Sequence, residues 1–197
     1  GTKLEVEDLA ILHHKFKNMR SVKEATGDLV RMAKTRTLCG EDFDILSGDD
    51  DKTFEMMTRD DIRASGVISV MSNIIPGPIG EMVKAVRSGN MQRANRLKDI
   101  LDPLFRVVTV NTVESYEGFE VPCKFRNPVA IKTMMKGLGL PSGPCRPPLG
   151  KMTPKGVEIV RNALKETYGK SKEALWPLQE FYRINIEERL SNDRYWK

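Results

Sequence analysis

The chain has 197 residues, 40% of them hydrophobic and 30% charged, and a formal net charge of +5. That length can bury one good core, or one core with an appendage, and no apolar run approaches a membrane span. Glu5, Glu7 and Asp8 stand where a signal peptide needs basic residues, the basic residues are scattered among acids without interleaved aromatics, and three widely spaced cysteines (Cys39, Cys123 and Cys145) suit a reducing cytosol; a secretory signal, a nucleic-acid surface, a disulfide framework and a zinc site are all disfavoured.

Leu4, Leu9, Ile11, Leu12 and Phe16 recur near helical spacing, with acids early and Lys15 and Lys17 late. This predicts an amphipathic helix whose charges match its macrodipole. The adjacent His13 and His14 would point about 100° apart on it, too divergent to share a metal readily, so a solvated face is expected. Met19 to Val22 is a short apolar run that delivers Lys23, followed by the Thr26-Gly27 turn and Asp28. The order reads as strand, lysine at the strand's carboxyl end, turn, N-cap, and helix to about Leu38. In parallel α/β folds the chemistry sits at the carboxyl ends of strands. A lysine there can lose its charge by desolvation and act as an amine nucleophile; the alternative is a lysine that merely ends a strand and reaches into water.

Phe43 to Leu46 predicts a second strand, stopped by Ser47-Gly48-Asp49-Asp50-Asp51. Three carboxylates in a row suggest Ca²⁺ or Mg²⁺, but they lack the alternating spacing of an EF-hand loop. The structural reading is an N-cap and an acid-rich first turn of a helix to about Arg59. Gly66 to Met71 is apolar on both faces, as a buried parallel strand should be. Three parallel strands are thus expected, over about 19–23, 43–47 and 66–70. From Ile79 onward no strand is expected. Helices are predicted over about 79–87, 91–110, 127–136 and 154–168, with Pro103 kinking the second. Residues 111–119 read as a loop, 141–150 as a proline-rich connector, and Gly137-Leu138-Gly139 as a helix C-cap, since no strand precedes it. The helical tail after Tyr168 carries Leu175, Leu178, Phe181, Tyr182, Ile184 and Ile186 and is expected to pack on a surface, such as another subunit.

Val22-Lys23-Glu24-Ala25-Thr26-Gly27-Asp28, Leu46-Ser47-Gly48-Asp49-Asp50 and Gly66-Val67-Ile68-Ser69-Val70-Met71-Ser72-Asn73 follow one another, each at a strand end. Over about residues 1–168 the set resembles the second half of the dihydrodipicolinate synthase family, pyruvate-dependent class I aldolases. The resemblance implies an α/β chain: the last part of a (β/α)8 TIM barrel, strands six to eight, over residues 1–89, a C-terminal helical region over 90–168, and an extension over 169–197. It implies that Lys23 forms a Schiff base with pyruvate, that Gly48 lies beside the bound pyruvate and leaves it room, and that the backbone carbonyl of Ile68 faces the site. A complete barrel takes about 250 residues, so five strands are expected to precede this chain, which reads as the C-terminal portion of a longer protein.

The function implied is a lyase that condenses pyruvate with L-aspartate semialdehyde in lysine and diaminopimelate biosynthesis. It would work as a cytoplasmic homotetramer, without metal or organic cofactor and without nucleic-acid or membrane partners. The proton-shuttling tyrosine, its helper threonine, a second tyrosine from a neighbouring subunit and the arginine that holds the aldehyde all fall outside these residues. Tyr116, Tyr168, Tyr182 and Tyr195 come too late to match. Two alternatives remain: another pyruvate aldolase, of the N-acetylneuraminate lyase or keto-deoxy sugar acid type, or a non-catalytic half-barrel interaction module.

Overall fold

Helix α1 (Val6–Lys15), strand β1 (Ser21–Glu24), helix α2 (Leu29–Cys39), strand β2 (Asp44–Ser47), helix α3 (Thr53–Thr58) and strand β3 (Gly66–Val67) alternate along the first third of the chain in the computed structural model, which describes residues 3–197. The strands form one parallel sheet in the order β1-β2-β3, with Lys23 opposite Leu46 and Ser47 opposite Val67. Beyond come α4 (Pro76–Arg87), α5 (Met91–Phe105), the antiparallel hairpin β4 (Val110–Tyr116) and β5 (Phe119–Phe125), α6 (Val129–Leu138), α7 (Pro154–Lys170), α8 (Trp176–Tyr182) and α9 (Ile186–Ser191). The chain divides into two units: the residues through Ser69 with Glu81–Asn95, and Val70–Gly80 with Arg96–Lys197.

The first unit is built around Met32, Phe43, Ile45, Met56 and Ile62, all fully buried. Its helices start and stop where side chains dictate. The Asp28 carboxylate accepts from the N–H groups of Val30 and Arg31 at 3.0 Å and so caps α2. At the far end of α2 the Arg36 side chain is buried without a carboxylate. Its guanidinium donates to the carbonyls of Ile62 (3.0 Å), Gly40 (2.8 Å), Glu41 (3.1 Å), Phe43 (2.6 Å) and Arg63 (3.3 Å). One planar cation thus satisfies the loops that lead into β2 and β3 and sets where both strands begin. His13 belongs to the same packing rather than to a solvated face: its ring lies 4.7 Å from that of Phe43, and Nδ1 is 2.7 Å from the Met19 carbonyl.

The third strand is shorter than its sequence suggests. Only Gly66 and Val67 pair with β2, and a 3-10 turn at Met71–Asn73 replaces the expected strand end. The reason is the partner: β2 stops at Ser47, whose carbonyl takes the Ile68 N–H at 2.8 Å, and nothing beyond it offers a ladder.

In the second unit the expected loop at 111–119 is a two-stranded hairpin. Its turn, Glu117-Gly118, has positive φ at both residues (50° and 84°), which matches the right-handed twist of the strands. Glu114 on β4 accepts from Thr112 (2.6 Å) and from Thr153, the N-cap of α7 (2.7 Å). These two hydroxyls hold its carboxyl below the usual range. Helix α5 ends at Phe105, shortly after Pro103, instead of running on to Val110. Proline has no N–H for the carbonyl four residues back; that carbonyl, of Asp99, accepts a hydrogen bond from the Lys170 ammonium at 2.9 Å instead. Gly139 caps α6 in the left-handed region (φ 87°), as the Gly-Leu-Gly spacing predicts.

The tail packs on its own chain. Leu175, Leu178, Ile186 and Leu190 are buried, and the Trp196 ring lies over Gly137, where a Cβ would come within 2.5 Å of it. Trp196 Nε1 donates to the Arg189 carbonyl (2.7 Å), and Arg161 donates to the Leu190 carbonyl (2.7 Å) and to Asp193 (2.5 Å). Trp176, Phe181 and Tyr182 stay exposed.

Candidate active site

The parallel register brings the three residues singled out from sequence to one end of the sheet. Lys23 is the next-to-last residue of β1, Gly48 follows β2 and Ile68 follows β3. The ladder staggers them: the Gly48 N–H donates to the Glu24 carbonyl at 2.7 Å and the Ile68 N–H to that of Ser47 at 2.8 Å.

Gly48 is the tightest point. A Cβ there would lie 2.5 Å from Ala25 Cβ, 2.9 Å from Lys23 Cε and 3.0 Å from the Glu24 carbonyl oxygen. The contacts under 3 Å, both with side chains, force a neighbour to shift, and the backbone oxygen at 3.0 Å leaves little room for it. The glycine therefore makes way for the lysine's own stem. Lys23 is exposed among the described residues. Ile68 is likewise 45% exposed.

Alternation along β1 sends Lys23 and Glu24 to opposite faces. Glu24, 5% exposed, accepts from the Thr26 N–H at 3.0 Å and lies 3.6 Å from Arg31 Nε. Arg31 in turn reaches Glu5 (3.1 Å) and the Leu4 carbonyl. This pair fixes the Ala25-Thr26-Gly27 turn from beneath. Glu24 sits inside the motif around the lysine, but its burial depends on Arg31 across the turn, which no local pattern announces.

Asp49, read from sequence as part of an acidic N-cap turn, precedes the 3-10 turn Asp50–Lys52 but makes no side-chain cap bond, and its burial emerges only from the structure. Ser47 Oγ donates to its carbonyl (2.9 Å), and Thr53 does so as well (3.0 Å), which locks the turn after β2. Its Oδ2 is buried without a hydrogen-bond partner. Burial first, then the neighbouring Asp51 charge, pushes this carboxyl above its ordinary range, against the pull of the Gly27 N–H. A carboxyl that holds its proton more tightly than usual thus directly follows Gly48. Among the described residues no group of three or more His, Cys, Asp or Glu side chains is arranged to hold a metal ion, and no helix is long and apolar enough to cross a membrane.

Comparison with known proteins agrees with this geometry. The model of the dihydrodipicolinate synthetase family matches residues 1–167. The 4-hydroxy-tetrahydrodipicolinate synthase of Thermoanaerobacter sp. (strain X514) is 36% identical over 157 residues, covering 80% of this chain and 47% of the relative. That of Sulfurihydrogenibium sp. (strain YO3AOP1) is 35% identical over 167 residues, covering 84% and 51%. Among solved structures, the synthase from the thermoacidophilic methanotroph Methylacidiphilum fumariolicum SolV superposes with a TM-score of 0.71 at 30% identity, over 86% of this chain and 51% of that one. Dihydrodipicolinate synthase from Aquifex aeolicus gives 0.68 at 30%, over 83% and 50%. The chain spans about half the length of the curated relatives it matches. The match ends at residue 167, so the tail lies beyond it. With three motifs in order at one end of a parallel sheet and the family model running through all of them, this chain belongs to the dihydrodipicolinate synthetase family.

Proposed function

We propose that the chain is the pyruvate-binding part of a 4-hydroxy-tetrahydrodipicolinate synthase, in which Lys23 forms a Schiff base with pyruvate and the resulting enamine attacks L-aspartate semialdehyde. The observation that carries this reading is the Lys23 stem lying against the notch at Gly48, at the carboxyl end of adjacent parallel strands. The amine attacks the ketone carbon, a C–N bond forms and water leaves, giving an iminium. The iminium draws electrons, the methyl group releases a proton, and the enamine carbon attacks the aldehyde. Gly48 keeps the space beside Nζ clear, and the Ile68 carbonyl faces the bound acid. The Glu24–Arg31 pair steadies the turn that follows the lysine.

Proton transfer needs a positioned acid-base group, and none of the four tyrosines lies on β1–β3 or the turns after them. We assign that task to polypeptide outside this chain. In the sheet β1 and β3 each pair with β2 alone, so they would be strands six and eight of a barrel completed by that polypeptide. The open edges favour this over a self-contained half-barrel module. The relatives' names favour the synthase over other pyruvate aldolases. We further propose a cytoplasmic homotetramer without metal or cofactor. The exposed Trp176, Phe181 and Tyr182 are the part of the tail left for a subunit interface, which sizing with and without residues 170–197 would test.

Borohydride treatment of the intact protein with pyruvate should leave an adduct on the peptide that contains Lys23, and none without pyruvate. Lys23→Arg should be folded and inactive, because a guanidinium stays protonated and cannot form the imine. Turnover of pyruvate by Lys23→Arg, with no adduct on the unchanged protein, would sink the assignment.

A further inference from the structure

In the second unit, α6, the proline-rich connector, the start of α7 and the end of the tail surround a cavity of about 720 Å³. Its size falls within the range of small-molecule sites, and its walls are mostly apolar, with Val129, Met152 and the Trp196 ring among them. The charged residues that line it are Lys132, Lys136, Lys151 and Lys197, with no aspartate or glutamate.

The walls are braced. Lys132 Nζ donates to the carbonyls of Ser142 (2.8 Å), Pro144 (3.0 Å) and Gly143 (3.5 Å) and so ties the connector to α6. Lys136 Nζ donates to the Lys197 carbonyl at 2.7 Å and ties α6 to the tail. The Trp196 ring is held by its indole bond to Arg189 and by the notch at Gly137. The carbonyls of the connector satisfy the Lys132 ammonium without cancelling its charge, whereas in a chain that ends at Lys197 the oxygen that Lys136 meets belongs to a carboxylate. Among the described residues, no aspartate or glutamate lies within salt-bridge distance of the four lysines, although Lys197 acts at longer range on the exposed Asp193. An apolar hollow with a flat indole wall and an excess of positive charge disfavours cations and leaves its field unused by neutral ligands.

We propose that this cavity binds an aromatic monoanion, an aryl carboxylate or sulfonate, with its ring system against Trp196 and its charge toward Lys151. The site uses residues that the family reading gives no role, and two of its walls, Tyr195 and Trp196, come from the tail beyond the family match. Anilinonaphthalene sulfonate serves as the probe, with neutral phenylnaphthylamine as its uncharged counterpart. Cys145 lines the cavity and Cys123, on β5, does not, so the two thiols report where a ligand sits.

On the unmodified chain, the sulfonate should bind saturably, slow alkylation of Cys145 by iodoacetamide and leave the rate at Cys123 unchanged. The neutral counterpart should bind about tenfold more weakly, and Lys151→Glu should weaken the sulfonate by about tenfold. Lys151 is exposed, so the variant should keep its melting temperature. The proposal is overturned if the sulfonate leaves Cys145 unprotected, protects both thiols alike, or binds the charge-reversed variant or competes with the neutral probe at unchanged strength. The cysteine protection stands even if the variant fails to fold.

Discussion

The unit that carries Lys23 leaves both edge strands of its sheet with a single partner, whereas the second unit covers its helices with its own tail. The first has short strands, a lysine at the rim and a glycine notch shaped around it. The second carries its closure within the chain, through Trp196 on Gly137 and the Arg161 bonds to the tail.

That contrast breaks if damage to one unit spreads to the other. Arg36→Ala should have the largest effect, about 3–5 kcal/mol, because it removes a buried cation and strands several buried carbonyls. Amide exchange should rise across β1–β3 while α6, α7 and the tail keep their protection; equal loss in both units would show a single cooperative body. Trp196→Ala should destabilise by about 2–3 kcal/mol, since a half-buried indole and its hydrogen bond are lost. Here the exchange should rise in α6, α9 and the tail. Undiminished protection there would mean the tail is not what closes that unit.

Gly48→Ala sharpens the comparison at the site itself. The methyl must displace Ala25 or the Lys23 stem, a strain of about 1–3 kcal/mol. In the intact protein borohydride trapping of pyruvate should fall while the second unit is untouched. Trapping at the unchanged rate would show that the lysine stem does not need the notch. Asp49→Asn should have the smallest effect, a gain below about 1 kcal/mol at pH 7, discounted because the carboxyl is only half-buried. A carboxyl whose folded pKa lies above its unfolded value contributes stability at low pH that is lost as pH rises through the folded pKa. The gain should therefore vanish below the ordinary aspartate range, and melting temperatures across that range check it. A gain that persists in acid would assign the effect to packing instead.

Much of the first unit was legible locally. Asp28 caps α2 and the three strand ends carry their motifs, because caps and strand ends are written in adjacent residues. The strand at 66–70 was overestimated because its length is set by where β2 stops, a fact about the neighbour. The hairpin was missed although Glu117-Gly118 is a two-residue turn and Phe119, Val121, Cys123 and Phe125 alternate. The flanking helical patterns, and the expectation of a loop there, outweighed that signal. The roles of Arg36, Asp49 and Trp196 rest on partners far along the chain or on burial, and neither has a sequence period.

Trp196 and Gly137 constrain one another's replacement. A glycine inside a helix costs about 1 kcal/mol relative to alanine, so considered alone Gly137→Ala is an improvement. With the indole in place the added methyl would meet the ring at 2.5 Å and expel it. The substitution thus changes sign with the tail: stabilising in a chain cut before Trp196, destabilising in this one. A tail of this kind grafted onto a relative would need its glycine transferred with it, so the two positions behave as one heritable unit separated by nearly a third of the chain.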